Sequence, residues 1–260
     1  MNLHHQRIGS GPLDVVFMHG LFGQGKNWLT VARALDGVAT SHLIDMPNHG
    51  HSPWTAEFDY DEMAEIVGDF VLDTFDHPVA VVGHSMGGKI AMRFALQRPE
   101  SVAGLVVVDI SPARNESALN FTSLVAGLKS LPLDEVKSRS WADKALAERI
   151  PDDTIRRFLL QNLQRQADSW SWLANLDMLG DHLHEVAGWK PAPGSTYDGP
   201  TLWVVGGRSD YVGDAHHDAM RELFPAVRML TVKQAGHWVH ADAPETFVQV
   251  LRRFLDELPA

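Results

Sequence analysis

The sequence contains no cysteine. Disulfides, thiol nucleophiles, iron–sulfur clusters and cysteine-ligated zinc are excluded together, and the lack fits a reducing compartment. Cations are scarce as well: 22 Lys and Arg stand against 33 Asp and Glu, a net charge of −11. So acidic a chain has no general attraction for nucleic acid or an anionic membrane, because both require a cationic face. No apolar run approaches the ~20 residues of a membrane span. The opening residues MNLHHQRIGSGPLD lack the basic and apolar regions of a secretion signal. The expectation is a cytoplasmic protein, a monomer or homodimer, whose partner is a small molecule.

What is present is an ordinary globular balance. The chain has 260 residues, 45% of them hydrophobic, which suits one domain with an insertion. Short apolar runs predict strands at residues 14–19, 41–45, 79–83, 105–110, 201–205 and 227–232, with a weaker one at 3–8. Most are unbroken rather than alternating, as in strands of a parallel sheet covered on both faces. Between them Ile90, Ala91, Phe94 and Ala95 recur at helical spacing before Pro99, and Phe247, Val250, Leu251, Phe254 and Leu258 share one face of a last helix. From 112 to 199 the alternation stops. Only helices are expected there, at 154–164 and 177–187, among Trp141, Phe158, Trp170, Trp172 and Trp189. The expected organisation is an α/β core over residues 1–111 and 200–260, interrupted by a helical cap at 112–199.

Residues Gly83-His-Ser-Met-Gly87 form a G-x-S-x-G directly after an apolar run and directly before a helix. That context predicts a sharp strand-to-helix turn that lifts the Ser85 hydroxyl above the sheet, with glycines where side chains would collide. A serine hydroxyl is a weak nucleophile and needs a base, which needs an orienting acid. Among 14 histidines His237 is best placed as base, in Gln234-Ala-Gly-His-Trp-Val-His240 between the last strand and the last helix. His240 is its nearest competitor. His4, His5, His216 and His217 read as exposed, and His182 and His184 as cap surface. Two aspartates compete for the role of acid: Asp109 and Asp210, each at the C-terminal end of an expected strand, where ligands gather in open α/β sheets. Residue spacing leaves the choice open.

An oxyanion would need two backbone donors. Met86, just after the serine, supplies one; Leu21 of His19-Gly-Leu-Phe-Gly23 is the choice for the second, with Phe22 in reserve. The same loop imitates a phosphate loop, since Gly20-Leu-Phe-Gly-Gln-Gly-Lys-Asn27 is G-x-x-x-x-G-K. It ends in Asn27 instead of the Ser or Thr that would ligate magnesium. His49/His51 and His237/His240 have ligand-like spacing but no HExxH or carboxylate cluster, so neither a metal nor a cofactor is expected.

With these residues in hand, the chain resembles the α/β-hydrolase fold superfamily nearly end to end. The order Ser85, Asp210, His237 matches the order usual for the fold. Asp45-Met-Pro-Asn-His-Gly-His-Ser52 resembles its D-x-x-x-x-G-x-S turn, which shapes the floor near the nucleophile. HSMGGKIAM followed by VVVDISP is similar to small bacterial serine esterases and thioesterases related to a mitochondrial abhydrolase. Some of those use the aspartate after the elbow-following strand, and this resemblance favours Asp109. The short N-terminus departs from the fold by leaving little room for a first hairpin. The resemblance implies an α/β-hydrolase fold and cleavage of small to medium acyl esters or thioesters by Ser85. Phe22, His84, Phe158, Trp170, Trp172 and Trp238 would line the substrate pocket. A C–C bond hydrolase, a perhydrolase or a small-molecule receptor could carry the same triad.

Overall fold

Along residues 15–18 the side chains alternate between two separate apolar layers. Val16 and Met18 enter one, Val15 and Phe17 the other, because successive side chains of a strand point to opposite faces. Residues 80–82 and 105–108 split the same way, and all are buried. This is why the apolar runs are continuous in the sequence. The computed structural model describes residues 1–191 and 193–258.

The strands are β1 (His5–Ile8), β2 (Leu13–Met18), β3 (Ala39–Ile44), β4 (Val79–His84), β5 (Val102–Val108), β6 (Leu163–Gln166), β7 (Ser169–Trp172), β8 (Thr201–Gly206) and β9 (Val227–Val232). Seven form one sheet in the order β1-β3-β2-β4-β5-β8-β9, in which only β1 is antiparallel. The weakly signalled first strand is present at His5–Ile8 and pairs antiparallel with β3. Three helices precede the insertion: α1 (Leu29–Ala34), α2 (Tyr60–Thr74) and α3 (Met86–Gln97). Within it lie α4 (Phe121–Lys129), α5 (Arg139–Leu146), α6 (Asp153–Leu159), α7 (Leu176–Asp181) and α8 (Leu183–Ala187). The chain ends with α9 (His217–Leu223), α10 (Val239–Asp242) and α11 (Pro244–Asp256).

Met63 and Val67 of α2, with Ile90 and Phe94 of α3, fill one layer, which also takes in the buried residues of the insertion. Val31 of α1, with Phe247 and Leu251 of α11, fill the other. Each large side chain so enclosed contributes roughly 1.5–3 kcal/mol. The start of α2 is fixed locally: the Asp59 carboxylate accepts from the N–H groups of Asp61 and Glu62. No described helix is long and apolar enough to cross a membrane.

The insertion corrects one expectation. It contains a β-hairpin, β6–β7, with Leu163 opposite Trp172 and Arg165 opposite Trp170. The expected helix over 154–164 stops at Leu159, and a short 3₁₀ turn, Leu160–Asn162, leads into β6. Four-residue strands are too short to show a period, and the turn turns on Ala167 at a φ of 49°. The second expected helix is likewise split, into α7 and α8.

Candidate active site

Ser85 joins β4 to α3 at a φ of 53° and ψ of −119°, a conformation that costs a non-glycine residue on the order of 1–3 kcal/mol. The surrounding glycines make the turn possible. A Cβ at Gly83 would lie 2.3 Å from the Gly87 carbonyl oxygen, and one at Gly87 would lie 2.5 Å from that of His19. Ser85 N–H donates to the Val108 carbonyl at 3.1 Å, which ties the turn to β5.

His237 leaves the loop between β9 and α10. Its Nδ1 lies 2.8 Å from Oδ2 of Asp109. Asp109 is fully buried just beyond β5, at a φ of 50° that Asp tolerates better than most residues. A carboxylate out of water needs partners, and this one has three: His237, the Gly206 N–H at 2.8 Å on its Oδ1, and the Ser209 hydroxyl on its Oδ2. Asp210, by contrast, is exposed and makes no hydrogen bond to His237. The β8 loop thus delivers Gly206 and Ser209 to Asp109 beyond the neighbouring β5 and leaves Asp210 exposed. Tyr211 stacks on the His237 ring at 3.8 Å and fixes its plane, while Asp242 accepts from the Gly236 N–H at 2.7 Å and fixes the loop. Among the described residues neither the Ser85 hydroxyl nor Nε2 of His237 is hydrogen-bonded, and both face one cavity.

The other histidines nearby are locked. His84 donates from Nε2 to the His237 carbonyl at 2.9 Å, and burial holds its pKa well below the usual range. His240, the rival base, is buried in a stack on Trp28 at 4.2 Å; burial and the nearby His237 lower it to about 3. His19 donates from Nδ1 to the Gly20 carbonyl and accepts the Met46 N–H on Nε2, so burial leaves it neutral with a fixed tautomer. His49, beneath it, is also lowered to about 3 by burial. Elsewhere His4, His5 and His184 are exposed, but His182, His216 and His217 are half-buried. His182 donates to the Met178 carbonyl and His216 accepts the Gly213 N–H.

The loop after β2 carries the remaining candidates. Met86, as first residue of α3, has an N–H without an intrahelical acceptor. Leu21 lines the cavity that Ser85 and His237 face, and Gly20 beside it has its carbonyl taken by the Gly23 N–H at 2.9 Å. Phe22 turns the loop with a φ of 59°. Asp45 braces this loop, accepting the Gly25 N–H at 2.7 Å and the His51 N–H at 2.8 Å. The phosphate-loop look-alike therefore spends its backbone on this brace and a 3₁₀ turn, Gly25–Trp28, and Lys26 projects outward.

A chamber of about 490 Å³ opens over Ser85. His84, Phe158 and Trp238 line it, as expected from their positions, and Leu21, Phe121 and Trp28 join them. Three expected pocket residues do not. Phe22 packs beneath the loop against His49 and Phe121, and Trp170 and Trp172 lie on β7, packed against the insertion's own apolar residues.

A family model described as the alpha/beta hydrolase fold matches residues 15–244. The chain belongs to that family. This α/β hydrolase is 39% identical over 247 residues to the mouse "sn-1-specific diacylglycerol lipase ABHD11", covering 93% of this chain and 80% of the relative. It is 29% identical over 243 residues to "Esterase YbfF" of Escherichia coli K12, covering 94% and 93%. The solved structure of a "Marine microorganism esterase" superposes with a TM-score of 0.93 at 32% identity, covering 97% of this chain and 98% of that one. These relatives place it among the esterase- and lipase-type hydrolases of the family.

Sequence reading missed several groups of this α/β hydrolase's site. Ser209, Tyr211 and Asp242 flank residues that it did select, but nothing local distinguishes them from loop residues. Lys89 left more of a signal, being, with Arg93, one of two buried cations on α3. Its ammonium donates to the carbonyls of Ala187 and Gly188 at 2.8 Å each and of Val186 at 3.3 Å, so it caps the end of α8. Burial lowers it to about 7.

Proposed function

We propose that the protein is a serine hydrolase that cleaves acyl esters or thioesters of small molecules through an acyl-enzyme. The observation that carries this reading is the buried Asp109–His237 pair, 2.8 Å apart, beside a serine on a strained strand-to-helix turn. Ser85 attacks the substrate carbonyl while His237 takes the hydroxyl proton on Nε2. Asp109 holds the tautomer with the proton on Nδ1 and stabilises the imidazolium that forms. The N–H groups of Met86 and Leu21 receive the oxyanion, each worth about 3 kcal/mol in the transition state. His237 then passes its proton to the leaving group and activates water to release the acid. The scheme needs no cofactor.

Residues 112–199 act as a cap over the chamber and contribute Phe121, Thr154, Phe158 and Gln161 to its lining. The test is hydrolysis of p-nitrophenyl esters by wild type and by Ser85→Ala. Turnover by wild type and a loss of about 10³-fold or more in the variant support the assignment. A Ser85→Ala enzyme that keeps the wild-type rate refutes it.

A further inference from the structure

Ser85 stands between two cavities of very unequal size. On one side is the chamber of about 490 Å³; on the other is a pocket of about 20 Å³. Ser85, Leu21 and Phe121 face both, so Leu21 and Phe121 stand at the boundary between them. His237 and Trp238 face only the chamber, while Met86, Ala118 and Tyr211 face only the small pocket.

This asymmetry assigns the two halves of a substrate, given the serine-hydrolase reading on which the argument rests. When the Ser85 oxygen bonds to the carbonyl carbon, that carbon carries four groups. One is the Ser85 oxygen, and another is the oxyanion, directed to the N–H groups of Met86 and Leu21. The leaving oxygen or sulfur must receive the proton that His237 took from Ser85 as its bond to carbon breaks. It therefore lies on the imidazole side, and whatever it carries extends into the chamber. The acyl chain has the remaining direction, and the small pocket lined by Met86, Ala118 and Tyr211 is the second opening beside Ser85. A cavity of that volume holds about one or two water-sized groups, which corresponds to a methyl or an ethyl.

We propose that the enzyme is selective for short acyl groups, acetyl and propionyl, carried on bulky alcohols or thiols, and that Phe121 sets the limit on acyl length. The floor of the pocket supports this. Lys89 and Tyr60 reach it, but the ammonium and the hydroxyl are occupied by carbonyls at the end of α8, with the Tyr60 hydroxyl 2.7 Å from that of Val186. Neither is free to bind a polar acyl group; Leu21, Met86, Ile110, Ala118 and Phe121 make the rest of the lining largely apolar, and Asn115 has its Oδ1 taken by the Ser117 N–H.

The test uses two ester series: 1-naphthyl esters from acetyl to octanoyl, and acetates of alcohols from ethanol to 1-naphthol. Expected is a fall in kcat/KM of at least tenfold between propionyl and hexanoyl, with no loss as the alcohol grows. Phe121→Ala should raise the hexanoyl-to-acetyl ratio about tenfold or more. Ala118→Leu, which fills the pocket without opening the boundary at Phe121, should depress propionyl relative to acetyl. Ser85-dependent hydrolysis of octanoyl esters at the acetyl rate overturns the proposal and leaves the serine-hydrolase reading standing. So does a Phe121→Ala enzyme whose alcohol preference changes while its acyl preference does not. Lack of Ser85-dependent turnover on every ester, with no labelling of Ser85 by a fluorophosphonate, overturns both.

Discussion

Which aspartate serves His237 is decided by single atoms. Asp109 Oδ2 accepts from the imidazole and from Ser209, and Oδ1 accepts from Gly206. Replacing the carboxylate by an amide removes an acceptor and favours the wrong imidazole tautomer. Asp109→Asn is expected to lower kcat by about 10³–10⁴-fold, and Asp210→Asn, on an exposed side chain, to stay within about twofold. Steady-state kinetics on one activated ester separates them. Ser209→Ala deletes one donor to a buried carboxylate, a contact of about 1.5–3 kcal/mol for a charged acceptor. Its kcat should fall by roughly tenfold or more while KM changes little, because Ser209 touches the acid and not the chamber.

At the scale of elements, the elbow and the α8 cap behave as units. Gly87 packs the start of α3 against the end of β2, where a methyl group would meet the His19 carbonyl at 2.5 Å and the Met18 carbonyl at 2.6 Å. Backbone cannot yield as a flexible side chain can. Gly87→Ala should destabilise the fold by about 2–4 kcal/mol, measured as a shift in the urea midpoint. Lys89 joins α3 to α8 through its ammonium. Its folded pKa of about 7 lies below the ordinary 10.5. Between those values the unfolded chain holds a proton that the folded one has released, so stability rises with pH across that window. Denaturation at pH 6.5, 8 and 9.5 should show wild type gaining stability relative to Lys89→Met as pH increases.

For the whole molecule, the question is whether the insertion unfolds with the sheet. Its buried residues belong to the same apolar layer as α2 and α3. It is also tied to the β2 loop: Asn162 donates to the Phe22 carbonyl at 2.7 Å, and Gln24 donates to the Gln161 carbonyl at 3.2 Å. A single cooperative transition is expected. Far-UV circular dichroism, dominated by the sheet and its helices, and tryptophan fluorescence, with Trp141, Trp170, Trp172 and Trp189 in the insertion, should give coincident urea curves. Separate midpoints would show that the insertion melts alone. Asn162→Ala leaves the Phe22 carbonyl without its donor and should lower the common midpoint by about 1–3 kcal/mol.

The sequence by itself determined the sheet and the strand-to-helix turn, and it pointed to His237 as the candidate base. The strands are legible because a parallel sheet buried on both faces demands unbroken apolar runs. The elbow is legible because its residues are contiguous and a Cβ at Gly83 would already meet Gly87 within the same five residues. His237 follows from its place between the last strand and the last helix. Only the tertiary structure shows which aspartate hydrogen-bonds His237, since both stand at strand ends and local pattern treats them alike. The parallel pairing of β5 with β8 brings the Gly206 N–H and the Ser209 hydroxyl to Asp109, while the same loop carries Asp210 out to solvent. The hairpin in the insertion and the two cavities beside Ser85 were likewise visible only in three dimensions. Four-residue strands carry too few side chains to display a period, and a cavity wall is made by residues far apart in the chain.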